Sequence, residues 1–266
     1  MARLQSIYRY PVKGLSPERL SGVRLAPGQT LPADRKYAIE NGPSGFDPAS
    51  PGYLPKTRFL MLMRNERLAT LDTRYDDASR TLTIRHEGRE VVRADLSTKE
   101  GRLAIEAFLR RFMPSELAGP PKVLQADGHS FSDVAAKVVS IINLASVAAI
   151  EAMVGAPVHP LRFRANLYVE GWPAWSELDL VGRELAIDEA RLKVTKRIMR
   201  CAATNVDPET GVRDLQIPAT LMRNFDHADC GIYARVVVGG EIKPGSEVVI
   251  PAERKREPGF INTART

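Results

Sequence analysis

Residues 232–250 read IYARVVVGGEIKPGSEVVI. An apolar, β-branched run ends at Gly239-Gly240, Lys243-Pro244-Gly245 makes a second break, and a short apolar run follows. Val and Ile suit the half-buried surface of a pleated sheet, while Gly and Pro punctuate it. The stretch predicts strands at 232–238 and 247–250 joined by a glycine-containing connection. The same signature recurs upstream. Residues 4–10, 36–40, 122–126, 138–142, 162–170, 184–188 and 192–198 read as short strands. Residues 81–86 and 90–96 read as a hairpin around Glu87-Gly88-Arg89.

Helical signals are few. Ser97-Thr98-Lys99-Glu100 matches a capping box, and Leu103, Ala104, Ala107, Phe108 and Phe112 follow at helical spacing before Pro114. A second helix is expected at 146–154, stopped by Gly155 and Pro157. Residues 41–55 form a loop rich in Gly, Pro and Ser, long enough to carry function. The expected class is mainly β (α+β), barrel-like in architecture. A linker at 116–121 separates 1–115 from 116–252, and a basic tail at 253–266 carries Arg254-Lys255-Arg256.

The bulk composition narrows the class further. With 266 residues, 44% of them hydrophobic and 26% charged, the chain can bury a substantial core. Its 2 cysteines, Cys201 and Cys230, form no C-x-x-C pair. That excludes a disulfide scaffold, an iron–sulfur ferredoxin and a zinc ribbon, and suits a reducing compartment. The first residues carry no apolar secretory segment, and residues 138–150 are too short an apolar stretch to cross a bilayer. A cytoplasmic protein with no membrane partner is expected. The net charge of +6 is spread through the chain and fits an anionic cofactor or substrate. Nucleic acid is not expected, with aromatics at 6% and no recognition motif.

Cys201 opens the string Arg200-Cys201-Ala202-Ala203-Thr204-Asn205-Val206-Asp207-Pro208-Glu209-Thr210-Gly211. A neighbouring cation favours the thiolate, the nucleophilic and metal-binding form. Cys201 can act as a single ligand or a single nucleophile, and a buried inert thiol is an equally open reading. Arg162, Arg164 and Asn166 alternate, so on a strand they would share one face. Adjacent guanidiniums call for an anion or for carboxylate partners. Lys13 follows the first strand, Asp34-Arg35 precedes another, and Ser132-Asp133 stands before 138–142. Each is also explained by a turn, a surface pair or a cap. His86, His129, His159 and His227 show no ligand spacing. No G-x-S-x-G, Walker A or G-x-G-x-x-G pattern is present.

Six segments taken in order carry a family resemblance: IYRYPVKG from Ile7, DRKYAI from Asp34, SDVAAKVVSIINLAS from Ser132, RFRANL from Arg162, RCAATNVDPETG from Arg200 and GIYARVVVGGEIKPGSEV from Gly231. Together they resemble MOSC-domain proteins with an N-terminal β-barrel companion domain, most closely the amidoxime-reducing components and their bacterial counterparts. The resemblance implies two β-barrel-like domains with the molybdenum cofactor (Mo-molybdopterin) bound between them. It implies that the Cys201 sulfur ligates molybdenum and that Lys13 and Arg35 hold the phosphate end. Ser132, Asp133, Arg164, Asn166, Arg200 and Thr204 would line the cofactor, with Asp207 as a catalytic proton relay. The implied reaction is reduction of small N-hydroxylated molecules: amidoximes, hydroxylamines and N-hydroxylated bases. Electrons would come from a separate donor, a ferredoxin-type protein or a b-type cytochrome with its reductase.

The chain also departs from the family pattern. Arg197-Ile198-Met199 stands where the family has Pro-Cys-x before Arg-Cys, Gly14 where relatives often have Ser, and Ala165 where they have Pro. Two other readings stay open at this point. Cys201 could carry sulfur as a persulfide, or the arginines could bind a pterin or another anion without catalysis.

Overall fold

A computed structural model describes residues 1–252; the basic tail expected at 253–266 lies outside the described residues. The first half contains β1 (Arg3–Arg9), β2 (Glu18–Leu20), β3 (Val23–Leu25), β4 (Ala38–Asn41), β5 (Leu71–Asp76), β6 (Thr81–His86), β7 (Arg89–Asp95) and helix α1 (Lys99–Phe112). The second contains β8 (Pro121–Leu124), β9 (Val139–Asn143), α2 (Leu144–Val154), β10 (Leu167–Glu170), β11 (Glu184–Ile187), β12 (Ala190–Met199) and α3 (Ile217–Phe225). The stretch at 232–250 supplies most of β13 (Asp229–Val238), then β14 (Gly240–Ile242) and β15 (Val248–Val249). The described residues are mostly β, as the sequence predicts, with three α-helices, of which α3 was not expected.

The main sheet runs β15-β11-β12-β13-β9-β10-β1-β2, antiparallel except where β9 meets β10. It curls back on itself. Residues 7–9 of β1 pair with β2, while Arg3 bridges Glu247 and Leu4 N–H donates to the Ser246 carbonyl at 2.9 Å. Bringing the two ends together leaves little open edge for another strand to join. Leu4, Ile141, Leu167, Leu185, Leu192 and Ile232 fill the interior, alternating with outward residues as a pleated strand requires. A second core lies under the β5-β6-β7 meander and α1, built on Leu71, Leu82, Ile84, Ile105 and Leu109. A third, including Ile142, Ile150, Ile217, Leu221 and Cys230, packs α2 and α3 on the outside of the curled sheet.

The sheets cross the 115/116 division. β1 and β2 belong to the main sheet, where Leu4 and Ile7 bury inside the curl, β3 pairs with β14, and β4 pairs with β8. Residues 162–170 are not one strand. Residues Pro160–Phe163 form a 3-10 turn, Arg164 takes a left-handed conformation at φ 50°, and β10 starts only at Leu167. The capping residue of α1 is Thr98, whose Oγ1 accepts from Gly101 N–H at 3.0 Å; Ser97 instead donates to Asp95. Helix α3 carries no capping side chain of its own. The Asn205 Oδ1, twelve residues upstream, accepts from Ile217 N–H at 2.9 Å. Among the described residues no helix is long and apolar enough to cross a membrane.

Candidate functional site

A cavity of ≈ 290 Å³ opens where the end of β12 and the turn after it face segments from the first half of the chain. Cys201, Arg200, Thr204, Arg164, Asn166, Lys13, Arg35, Ser132 and Asp133 all line it. The fold thus assembles nine of the expected site residues from five separate segments. Asp207 does not line it.

The first wall is built from the end of β1. Tyr10 N–H donates to Asp34 Oδ1 at 2.8 Å, and Arg35 N–H returns to the Tyr10 carbonyl at 2.7 Å. Arg35, left-handed at φ 50°, then donates to both Asp34 oxygens and to the Arg164 carbonyl. Burial would lower the Arg35 guanidinium, but Asp34 outweighs it and the group is held above its usual range. Arg164 lies over the Tyr10 ring at 4.3 Å and Arg35 at 4.5 Å. Gly14 is at φ 86°, and a Cβ there would come within 2.8 Å of the Leu60 carbonyl. The backbone requires glycine at that point.

Lys13 donates to the Phe131 carbonyl at 2.8 Å and to Asp133, whose second oxygen lies 3.9 Å from Lys56. Burial alone would raise the Asp133 carboxyl, but Lys13, Lys56 and Arg35 hold it down to about 2. Burial lowers the Lys13 amine, Asp133 notwithstanding. Burial also acts to lower Lys56, yet Asp133 and Cys201 outweigh it and keep that amine above its usual range. Ser132 shares a hydrogen bond of 3.0 Å with Ser130. Asn166 is committed to the scaffold: its Oδ1 accepts from Ser140 N–H and Oγ, and its Nδ2 donates to the Tyr8 carbonyl.

Cys201 is half-buried, just past the end of β12, and starts the short turn Ala202–Asn205. Thr204 N–H and Oγ1 both reach the Cys201 carbonyl at 3.0 Å. Arg200 donates from Nε to the Cys230 carbonyl at 2.6 Å and from Nη1 to the Phe163 carbonyl at 2.8 Å. Its Nη2 is buried without a partner, as is Arg162 Nε. A buried guanidinium N–H without an acceptor is costly, and an anion in the cavity would relieve it. Eight Lys or Arg residues line the cavity against two Asp. Among the described residues neither Arg164 nor Arg200 has a carboxylate partner.

Asp207 is turned to structural work. Its Oδ1 accepts from Glu209 N–H, Thr210 N–H and Thr210 Oγ1, and its Oδ2 meets Arg162 at 3.0 Å. Both oxygens are engaged by these partners, and Asp207 reaches the cavity only through Arg162. Arg162 also faces Asp214 at 2.7 Å, and its alternation with Arg164 is broken by the left-handed residue between turn and strand. Sequence reading missed Lys56, Lys196 and Tyr233, which line the cavity too. Only the sheet register could have found Tyr233, which stands opposite Lys196 on β12 and Ser140 on β9. Cys230 is fully buried, and burial pushes its thiol up to about 12, the inert form. Among the described residues no cluster of His, Cys, Asp or Glu could hold a metal alone.

Family models match in two adjoining blocks: the MOSC N-terminal beta barrel domain over residues 1–112 and the MOSC domain over residues 126–249. The chain is a MOSC-domain protein. In this MOSC protein the cavity lies where the two matched blocks meet, taking Lys13 and Arg35 from one and Cys201 from the other. Family membership associates it with a module for molybdenum cofactor binding or sulfur chemistry. Among solved structures, the YUAD protein from Bacillus subtilis is 12% identical, with 93% of each chain covered and a TM-score of 0.44. YiiM from Geobacillus stearothermophilus is 19% identical over 43% of this chain and 54% of its own, with a TM-score of 0.35. Neither likeness is close enough to carry an argument. No curated protein gives a significant match.

Proposed function

We propose that this MOSC protein binds Mo-molybdopterin in the cavity and reduces small N-hydroxylated molecules with electrons from a separate donor protein. The observation that carries the reading is the meeting of one half-buried thiol with the half-buried Arg164 and Arg200, which lack carboxylates, Arg200 with a buried Nη2 that has no partner. The donor set fits the group. A thiolate suits a soft, polarizable metal, and Arg and Lys suit its phosphate. Cys201 would supply the sulfur ligand, Lys13, Arg35 and Arg164 the cradle for the phosphate, and Arg200 the charge beside the thiolate. When bound, the cofactor supplies the two-electron couple that cleaves the N–O bond. Turning N–OH into N–H and water also consumes two protons. Lys56, kept protonated beside Asp133, and the Tyr233 phenol are the protic groups on the wall that stand in for Asp207.

The test is molybdenum per chain by elemental analysis, for wild type and Cys201→Ala, after expression in a host that makes the cofactor. Near-stoichiometric metal, lost in the variant and accompanied by amidoxime reduction, is the expected result. Absence of both molybdenum and extractable pterin from wild type would overturn the reading and turn attention to a persulfide on Cys201.

A further inference from the structure

The turn that carries Cys201 is tied down by arginines on both sides. Arg200, before it, holds the Cys230 and Phe163 carbonyls, and Arg162 holds the Asn205 carbonyl at 3.2 Å, just past it. Both ties stay within the second half of the chain. A third arginine does not. Arg213 donates from Nη1 to the Ala202 carbonyl at 3.1 Å, one residue from Cys201. From Nη2 it donates to the Leu62 and Met63 carbonyls at 2.9 and 2.8 Å and to Glu66 Oε2 at 2.9 Å. Leu62 and Met63 belong to the opposite wall of the cavity. One planar fork therefore spans the gap between the walls: Nη1 serves the Cys201 turn, and the two hydrogens of Nη2 are shared among the three acceptors of the opposite segment.

The surroundings keep that fork in place. Val206 pairs with Arg213 as an isolated bridge, so the loop between them closes like a small hairpin. Its tip is Gly211 at φ 72°, where a Cβ would sit 3.1 Å from the Glu66 carbonyl. The loop thus lies flat against residues 66–70. We infer that Arg213 is a positioning residue: by clasping the Cys201 turn to the segment at 61–66, it sets the width of the cavity at the thiol. This goes beyond the proposed reaction and holds whether Cys201 ligates a metal or carries sulfur.

The test uses full-length protein free of cofactor and compares alkylation of Cys201 by iodoacetamide, a small reagent, and by N-pyrenylmaleimide, a bulky one. Cys230 is fully buried, so native-state labelling reports on Cys201. In Arg213→Ala the bulky-to-small rate ratio is expected to rise about tenfold, the change expected when charge-assisted hydrogen bonds closing the gap are lost. Arg213→Lys, with one ammonium that cannot reach both walls at once, should rise about threefold. A merely structural arginine would lower the melting temperature and speed both reagents in parallel, leaving the ratio unchanged. An unchanged ratio in whichever variant folds would overturn the inference.

Discussion

Arg162 and Arg164 stand two residues apart and line one cavity, yet their electrostatic surroundings are opposite. The side chain of Arg162, 1% exposed, meets Asp214 at 2.7 Å, Asp207 at 3.0 Å and the Asn205 carbonyl at 3.2 Å. Arg164 meets the Leu15 carbonyl at 2.9 Å and the Tyr10 ring, with no carboxylate. Burial, then the repulsion of Arg35, holds the Arg164 guanidinium below its usual range, despite the opposing pull of Tyr10. The Arg162 charge is matched within the scaffold, whereas the Arg164 charge is left available to an anion. Residue type alone does not separate the two.

The largest effect should come from breaking the matched side. Arg162→Met strands two carboxylates and a carbonyl, and is expected to cost about 3 kcal/mol of stability in urea denaturation. Arg164→Met, measured the same way without cofactor, should change stability by less than about 1 kcal/mol, since it removes a half-buried charge that no carboxylate compensates. Equal losses in the two variants would erase the distinction. Next in size is the response to inorganic phosphate. The melting temperature of the cofactor-free wild type should rise with phosphate, the gain reaching about 2.7 kcal/mol at a hundredfold excess over Kd. Arg164→Met should abolish the rise, and its persistence in that variant would place the anion elsewhere.

The smallest effect is a pH dependence at Asp133, the acid that serves both Lys13 and Lys56. Its folded-state value of about 2 is depressed from the ordinary 3.8. It therefore contributes stability that is present above pH 3.8 and is lost as pH falls through about 2. With a side chain 47% exposed, the contribution is modest. Urea midpoints between pH 5 and 2.5 should fall more steeply for wild type than for Asp133→Asn. Parallel curves would remove Asp133 from the charge balance of the cavity.

Much of the fold was legible because strand and turn signals are local. The run at 232–250, the hairpin at Glu87-Gly88-Arg89 and the left-handed stop at Gly155 depend on residues adjacent in the chain. Helix α3 was not legible, since its cap comes from Asn205. Nor was the break at Arg164, a left-handed arginine held by tertiary contacts rather than by its own preference. Of the site, Cys201, Arg200, Lys13 and Arg35 were readable from ordered motifs. The roles of Asp207 and Asn166 were not, because each depends on which distant group takes its oxygens.

The sequence by itself determined a mainly β chain, its MOSC family, and the thiol and some of the cations its cavity would contain. Which cations are matched was decided only by the tertiary structure. It also decided that Arg213 reaches across the walls and that Lys56 and Tyr233, not Asp207, line the cavity. The reason is physical: propensity and turn geometry act between neighbours in the chain, whereas charge pairing and desolvation act between neighbours in space.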